Sequence, residues 1–161
     1  MFVEKNSTKV IAIDEEIKIV GINLQKSGLP ITFESLGKLW GIYGDNHRGK
    51  EKNALTPIVE YAVCLNKVPD YISGCAVTEI GELKEGWMSF VIPKGKYIKD
   101  TWNAETCQKL CEVVGDSFKN VKKWAKTNKI KINGEFSIEV YPNEALEGTN
   151  IEMYTLTPVK D

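Results

Sequence analysis

Glu139 stands in the run Phe136-Ser137-Ile138-Glu139-Val140-Tyr141, where apolar and polar residues alternate. A strand has a side-chain period of two, so Phe136, Ile138 and Val140 share one face while Ser137, Glu139 and Tyr141 share the other. A carboxylate two positions from a phenol ring suits a cation. Ring faces attract positive charge by roughly 0.5 to 2 kcal/mol depending on desolvation, and the carboxylate adds a Coulomb attraction that the exclusion of water strengthens. Buried among aromatics, the same carboxyl acquires a raised pKa and the capacity to act as a general acid or base. Alternation alone does not separate these roles from that of a solvated glutamate on an open sheet face. Glu60, in Val59-Glu60-Tyr61, meets the same description.

The aromatic residues divide into two groups. Trp40 and Tyr43 follow Phe33 and Leu36 at helical spacing and read first as core packing. Tyr71, Trp87, Tyr97, Trp102 and Tyr154 stand in extended runs whose alternation can aim them at either face. Four tryptophans are more than the core of one sheet requires, which points towards a flat apolar ligand.

Other chemistries have no foothold. There is no G-x-S-x-G, no glycine-rich phosphate loop and no zinc motif, and the single histidine, His47, stands in a polar loop. Cys64, Cys75, Cys107 and Cys111 form no C-x-x-C pair and read as small apolar residues of a reducing compartment. Cys107 and Cys111 have a helical i, i+4 spacing but no histidine beside them, so neither a metal nor a cofactor is expected. Lys and Arg together number 21 against 22 Asp and Glu, which removes any electrostatic reason to expect nucleic acid as a partner. Lys119, Lys122, Lys123, Lys126 and Lys129 fall at helical spacing and read as the solvated face of one helix. No apolar run reaches signal-peptide or membrane-span length, and a cytoplasmic location is the expectation.

The elements that position these residues form a pattern. Ile17 to Gln25 reads as a strand, and a helix capped by Thr32 carries the Phe33, Leu36, Trp40, Tyr43 stripe. Strands at Ile58 to Leu65 and Tyr71 to Ile80 follow. Trp87 to Ile92 and Gly95 to Trp102 are extended, with Pro93 between them. A helix from a cap at Asn103 to about Thr127 shows the Cys107, Leu110, Val114, Phe118, Val121, Ala125 rhythm, and strands at Glu135 to Tyr141 and Ile151 to Thr157 complete the chain. The order is a repeated βαββ unit within one domain of 161 residues. The expected fold is α+β: duplicated βαββ units form an antiparallel sheet with two main helices on one face and a central ligand cleft. If the helices cover Phe136, Ile138 and Val140, Glu139 and Tyr141 point into the opposite, concave surface.

The segments IKIVGINLQ, LGKLWGIY, YISGCAV, FVIPKGKYIKDTW, FSIEVYP and IEMYTLTPV, taken in order, give nearly the whole chain a resemblance to the GyrI-like small-molecule-binding domains, which also serve as effector-binding domains of AraC-type and MerR-type regulators. The resemblance implies a cleft for hydrophobic cations with Glu139 as the charge partner. It further implies an aromatic wall of Tyr141, Trp40, Tyr71 and Tyr154, with Trp87 and Trp102 as additional candidates. No helix-turn-helix precedes the first strand, so the expectation is a stand-alone domain that binds no DNA directly. Stand-alone members of the group bind drugs, inhibit gyrase or hydrolyse cyclopropane-containing toxins. In the last case Glu139 is the catalytic candidate.

Overall fold

A computed structural model describes residues 3–104, 107–142 and 151–160. Along the described chain run β1 (Val3–Ile13), β2 (Ile17–Asn23), α1 (Phe33–Asn46), β3 (Glu60–Leu65), β4 (Asp70–Val77), β5 (Met88–Ile92), β6 (Gly95–Ala104), α2 (Cys107–Thr127), β7 (Phe136–Tyr141) and β8 (Ile151–Pro158). All the strands join one antiparallel sheet in the order β1-β6-β8-β7-β3-β4-β2-β5. That order reads the same from either end once the halves are matched. β2, α1, β3 and β4 recur as β6, α2, β7 and β8, while β5 and β1 extend the two edges. The βαββ duplication is therefore present, and β3 pairs with β7 where the halves meet.

The connections require the sheet to roll. Only Pro93 and Lys94 separate β5 from β6, a reach of about 10 Å, yet β8, β7, β3, β4 and β2 lie between those strands in the sheet. Across a flat sheet that distance is roughly 30 Å. Rolling brings Phe90 of β5 and Phe136 of β7 into an edge-on contact at 5.4 Å between ring centroids. The inward face then fills with Ile19, Val63, Ile72, Ile92, Tyr97, Ile138, Val140 and Leu156, contributed by strands from both halves. Gly21 and Gly74 face each other across the β2·β4 pair. A Cβ on Gly21 would stand 2.0 Å from the Ser73 carbonyl oxygen and one on Gly74 2.4 Å from that of Val20, so neither position tolerates a side chain.

Both helices pack on the other face, α1 against β2 and β4 and α2 against β6, β8 and β1. The side-chain oxygen of Thr32 accepts from the Ser35 amide at 3.3 Å, the cap its sequence position predicts. α2 buries Val121 and Ala125, while Lys119, Lys122, Lys123, Lys126 and Lys129 are exposed.

Two expectations need correction. The helices do not cover Phe136, Ile138 and Val140. The sheet's own curl buries those residues, and the helices lie over the face that carries Glu139 and Tyr141. Asn103 does not cap α2 but belongs to β6, paired with Glu4 and Glu152. β1, Val3–Ile13, is a strand beyond those read from the sequence. It is an edge strand with lysines, and a register shift between Lys5 and Ser7 breaks the period of two that would have revealed it.

A cavity between the helices, floored by Glu139

α1 sits over one half of the sheet and α2 over the other, and the two helices leave a gap above part of the central β3·β7 seam. A cavity of about 850 Å³ occupies that gap. Its floor is Cys64 of β3, Tyr71 of β4, and Glu139 and Tyr141 of β7; α1 supplies Phe33, Leu36, Gly37 and Trp40, and α2 supplies Val114, Gly115 and Phe118. These residue types are mostly apolar, so the cavity favours an organic ligand over bulk water.

Glu139 is only 7% exposed. The Tyr141 hydroxyl donates to its Oε1 at 2.5 Å, and the Tyr71 hydroxyl supplies a second hydrogen bond. Trp40 Nε1 in turn donates to the Tyr71 hydroxyl at 3.0 Å. The Trp40 indole also stands edge-on to the Tyr141 ring at 5.8 Å. Burial pushes the Glu139 carboxyl above its ordinary range, and the two phenols pull the other way by hydrogen-bonding the charged form. Burial, with the neighbouring Glu139 as a smaller cause, also pushes the Cys64 thiol up, which disfavours its thiolate.

Glu60 provides an internal comparison. It too is buried on the helix-bearing face, at 1% exposure, but Arg48 grips it through Nε at 2.6 Å and Nη2 at 2.9 Å. Around Glu139 the described residues that line the cavity include no lysine, arginine or histidine. One buried glutamate is neutralised by the protein itself, and the other is held by neutral donors at the floor of an open space.

Of the aromatic residues expected to form a wall, Trp40, Tyr71 and Tyr141 meet around Glu139. Tyr154 packs towards the inner core, with Lys99 Nζ lying 4.2 Å from its ring centroid. Trp87 stands edge-on to His47 at 4.9 Å, beside Val20, Cys75 and Val77. Trp102 packs in the cluster that contains Tyr141 and donates through Nε1 to Asp100 Oδ2 at 2.7 Å, so it supports the cavity wall without lining the cavity. These three leave the site because strand parity and edge position, which the alternation left open, send them elsewhere. The helix-borne lining residues Leu36, Gly37, Val114, Gly115 and Phe118 carry a signal that periodicity alone misses. Leu36-Gly37-Lys38-Leu39-Trp40 and Val114-Gly115-Asp116-Ser117-Phe118 share one apolar, glycine, two variable, aromatic pattern at matching points of the two halves.

α2 is fixed to the sheet by another buried carboxylate. Asp100 accepts from Thr8 Oγ1 at 2.6 Å, Ser117 Oγ at 2.7 Å and Asn120 Nδ2 at 3.2 Å, besides Trp102. Ser117 Oγ is also 2.8 Å from Thr155 Oγ1, and Thr155 is the cross-strand partner of Glu139. Among the described residues no group of three or more His, Cys, Asp or Glu is placed to hold a metal ion. The side chains of Cys107 and Cys111 lie outside the described residues. No helix among the described residues is long and apolar enough to cross a membrane.

A duplicated βαββ sheet with a ligand-sized cavity between its two helices defines the class of GyrI-like effector-binding domains. Residues 2–155 match the family model of Cass2, the integron-associated effector binding protein, and the chain belongs to that family. Its fold is similar to that of an integron cassette protein, VCH_CASS2, from the mobile metagenome of Vibrio cholerae, with 17% identity, a TM-score of 0.69, and 98% of this chain and 99% of that one covered. It is also similar to EcmrR in a complex with DNA, at 14% identity and a TM-score of 0.68 over 99% of this chain and 58% of that chain. A third similar structure is SAV2435 bound to tetraphenylphosphonium, at 12% identity and a TM-score of 0.62 over 96% of this chain and 94% of that one. No curated protein sequence matches the chain.

Proposed function

We propose that the cavity binds hydrophobic organic cations, with Glu139 as the counter-charge and Trp40, Tyr71 and Tyr141 as the aromatic surround. The observation that carries this reading is the contrast between the two buried glutamates: Glu60 has Arg48, whereas among the described residues Glu139 is held by phenol hydroxyls and faces a mostly apolar space. A cation in that space would supply the charge the protein withholds, in a region where low dielectric strengthens the attraction. Two phenols and an indole at the same floor add favourable ring faces. The similarity to SAV2435, whose structure contains tetraphenylphosphonium, supports the choice of ligand class.

Trp40 makes the test direct, because its indole lines the cavity. Tetraphenylphosphonium should quench the intrinsic fluorescence saturably, and Glu139→Gln, which keeps the shape and removes the charge, should weaken binding by roughly tenfold or more. Saturable binding unchanged by that substitution would remove Glu139 from the role of counter-charge.

The raised carboxyl of Glu139 supports a second reading, in which it activates water against an electrophilic ligand held in the same cavity. Mass spectrometry after long incubation with a cyclopropane-containing electrophile separates the two. Recovery of the compound unchanged leaves binding alone.

A further inference from the structure

The cavity walls contain two glycines that the fold does not use. Gly37 and Gly115 both line the cavity from helix interiors. Glycine disfavours a helix interior relative to alanine, because it loses more backbone freedom on folding. Such a residue is usually explained by a positive φ or by a close approach of another chain segment. Neither applies. Both φ values lie outside the left-handed region, and among the described residues a Cβ built on either glycine meets no heavy atom within 4 Å. Gly21 and Gly74 show the opposite case, where backbone atoms would clash with any added carbon.

Their placement is matched in the two halves. Each glycine follows an apolar lining residue and precedes an aromatic lining residue by three positions: Leu36, Gly37 and Trp40 on α1, Val114, Gly115 and Phe118 on α2. Positions i, i+1 and i+4 of a helix fall within about a 100° sector, so each triplet presents one continuous surface. In both triplets the glycine is the gap in that surface. Each glycine lines the cavity, and the space beside it is open.

We propose that Gly37 and Gly115 determine specificity: they set the width of the cavity between α1 and α2 so that bulky, multi-ring cations fit. The inference rests on the cation-binding reading given above. A methyl group on either glycine projects into ligand space and narrows the passage between the helices, while it improves each helix as a helix. Stability and the affinity for large ligands should therefore move in opposite directions, which a residue that serves only the fold would not produce.

Gly37→Ala and Gly115→Ala, singly and together, are titrated with tetraphenylphosphonium as the bulky probe and benzyltrimethylammonium as the slim one, and thermal unfolding is followed in parallel. Each single substitution should raise Tm by about 2–4 °C. Affinity for tetraphenylphosphonium should fall about tenfold or more in the double variant, against less than about twofold for benzyltrimethylammonium. A fall in Tm would show that the glycines serve packing, and equal changes for the two probes would show that they do not set width. Either result overturns the inference. If the parent protein binds neither probe, the function proposed above fails and this inference with it; binding by the parent with unaltered size preference in the variants overturns this inference alone.

Discussion

Glu139 links the charge of the cavity to the proton concentration outside. Its folded-state pKa is raised, so between the ordinary carboxylate range and that raised value the folded protein holds a proton that the unfolded chain has released. The sign follows. This group favours the empty folded state most at pH values below the ordinary carboxylate range, and the contribution is lost as pH rises through the raised pKa. A cation needs the ionised form, so binding has the opposite trend. Affinity for tetraphenylphosphonium should climb with pH, by no more than about tenfold per unit for one proton released, and level off above the raised pKa. Glu139→Gln should flatten the profile. Calorimetry from about pH 4 to about pH 8 in buffers of different ionisation enthalpy would count the released proton directly; an affinity independent of pH in the parent would contradict the linkage. The chemical type of this residue was legible from Phe136-Ser137-Ile138-Glu139-Val140-Tyr141, as was its company with Tyr141. Its separation from Glu60 was not, because that depends on Arg48 folding back from the end of α1.

The elements make the cavity by where they stop short. α1 and α2 each cover their own half, and α2 is held both by the apolar cluster of Ile98, Val121 and Ala125 and by a polar one, Ser117, Asn120 and Thr8 around the buried Asp100. Ser117→Ala removes the bonds to Asp100 and Thr155 and should lower unfolding free energy by about 1–3 kcal/mol. Urea denaturation would check this through a lower midpoint with an unchanged slope; no change in midpoint would mean that the Asp100 cluster does not clamp the helix. At this scale the sequence was a good guide to helices and central strands, since Leu36, Leu39 and Tyr43 or Val121 and Ala125 keep helical spacing. It failed at β1, where a bulge interrupts alternation, and at Asn103, whose capping chemistry is overridden by pairing on both sides in β6. The choice of face was also beyond it. Periodicity says that Ile138 and Glu139 point in opposite directions, but only the roll of the whole sheet says which direction the helices take.

That roll belongs to the whole molecule. Within the rolled sheet β2 and β4 approach closely where Gly21 meets Gly74. Alanine at Gly21 places a carbon against the Ser73 carbonyl, which has no flexible side chain to yield. The substitution should destabilise the protein by about 3 kcal/mol or more. Far- and near-ultraviolet circular dichroism during denaturation would register it, and a Gly21→Ala protein as stable as the parent would show that the strands can separate there without penalty.

The seam between β3 and β7 pairs Glu60 with Tyr141 and Ala62 with Glu139, residues far apart in the chain. Each hairpin, β3 with β4 or β7 with β8, is closed over a much shorter stretch. In kinetic language the seam is a high-contact-order event, made only after a long loop has closed. It is also the line along which Cys64 and Tyr71 are brought beside Glu139 and Tyr141. The cavity floor is thus completed by the joining of the two halves, and a cation bound there as proposed would draw the equilibrium towards the chain in which they have joined.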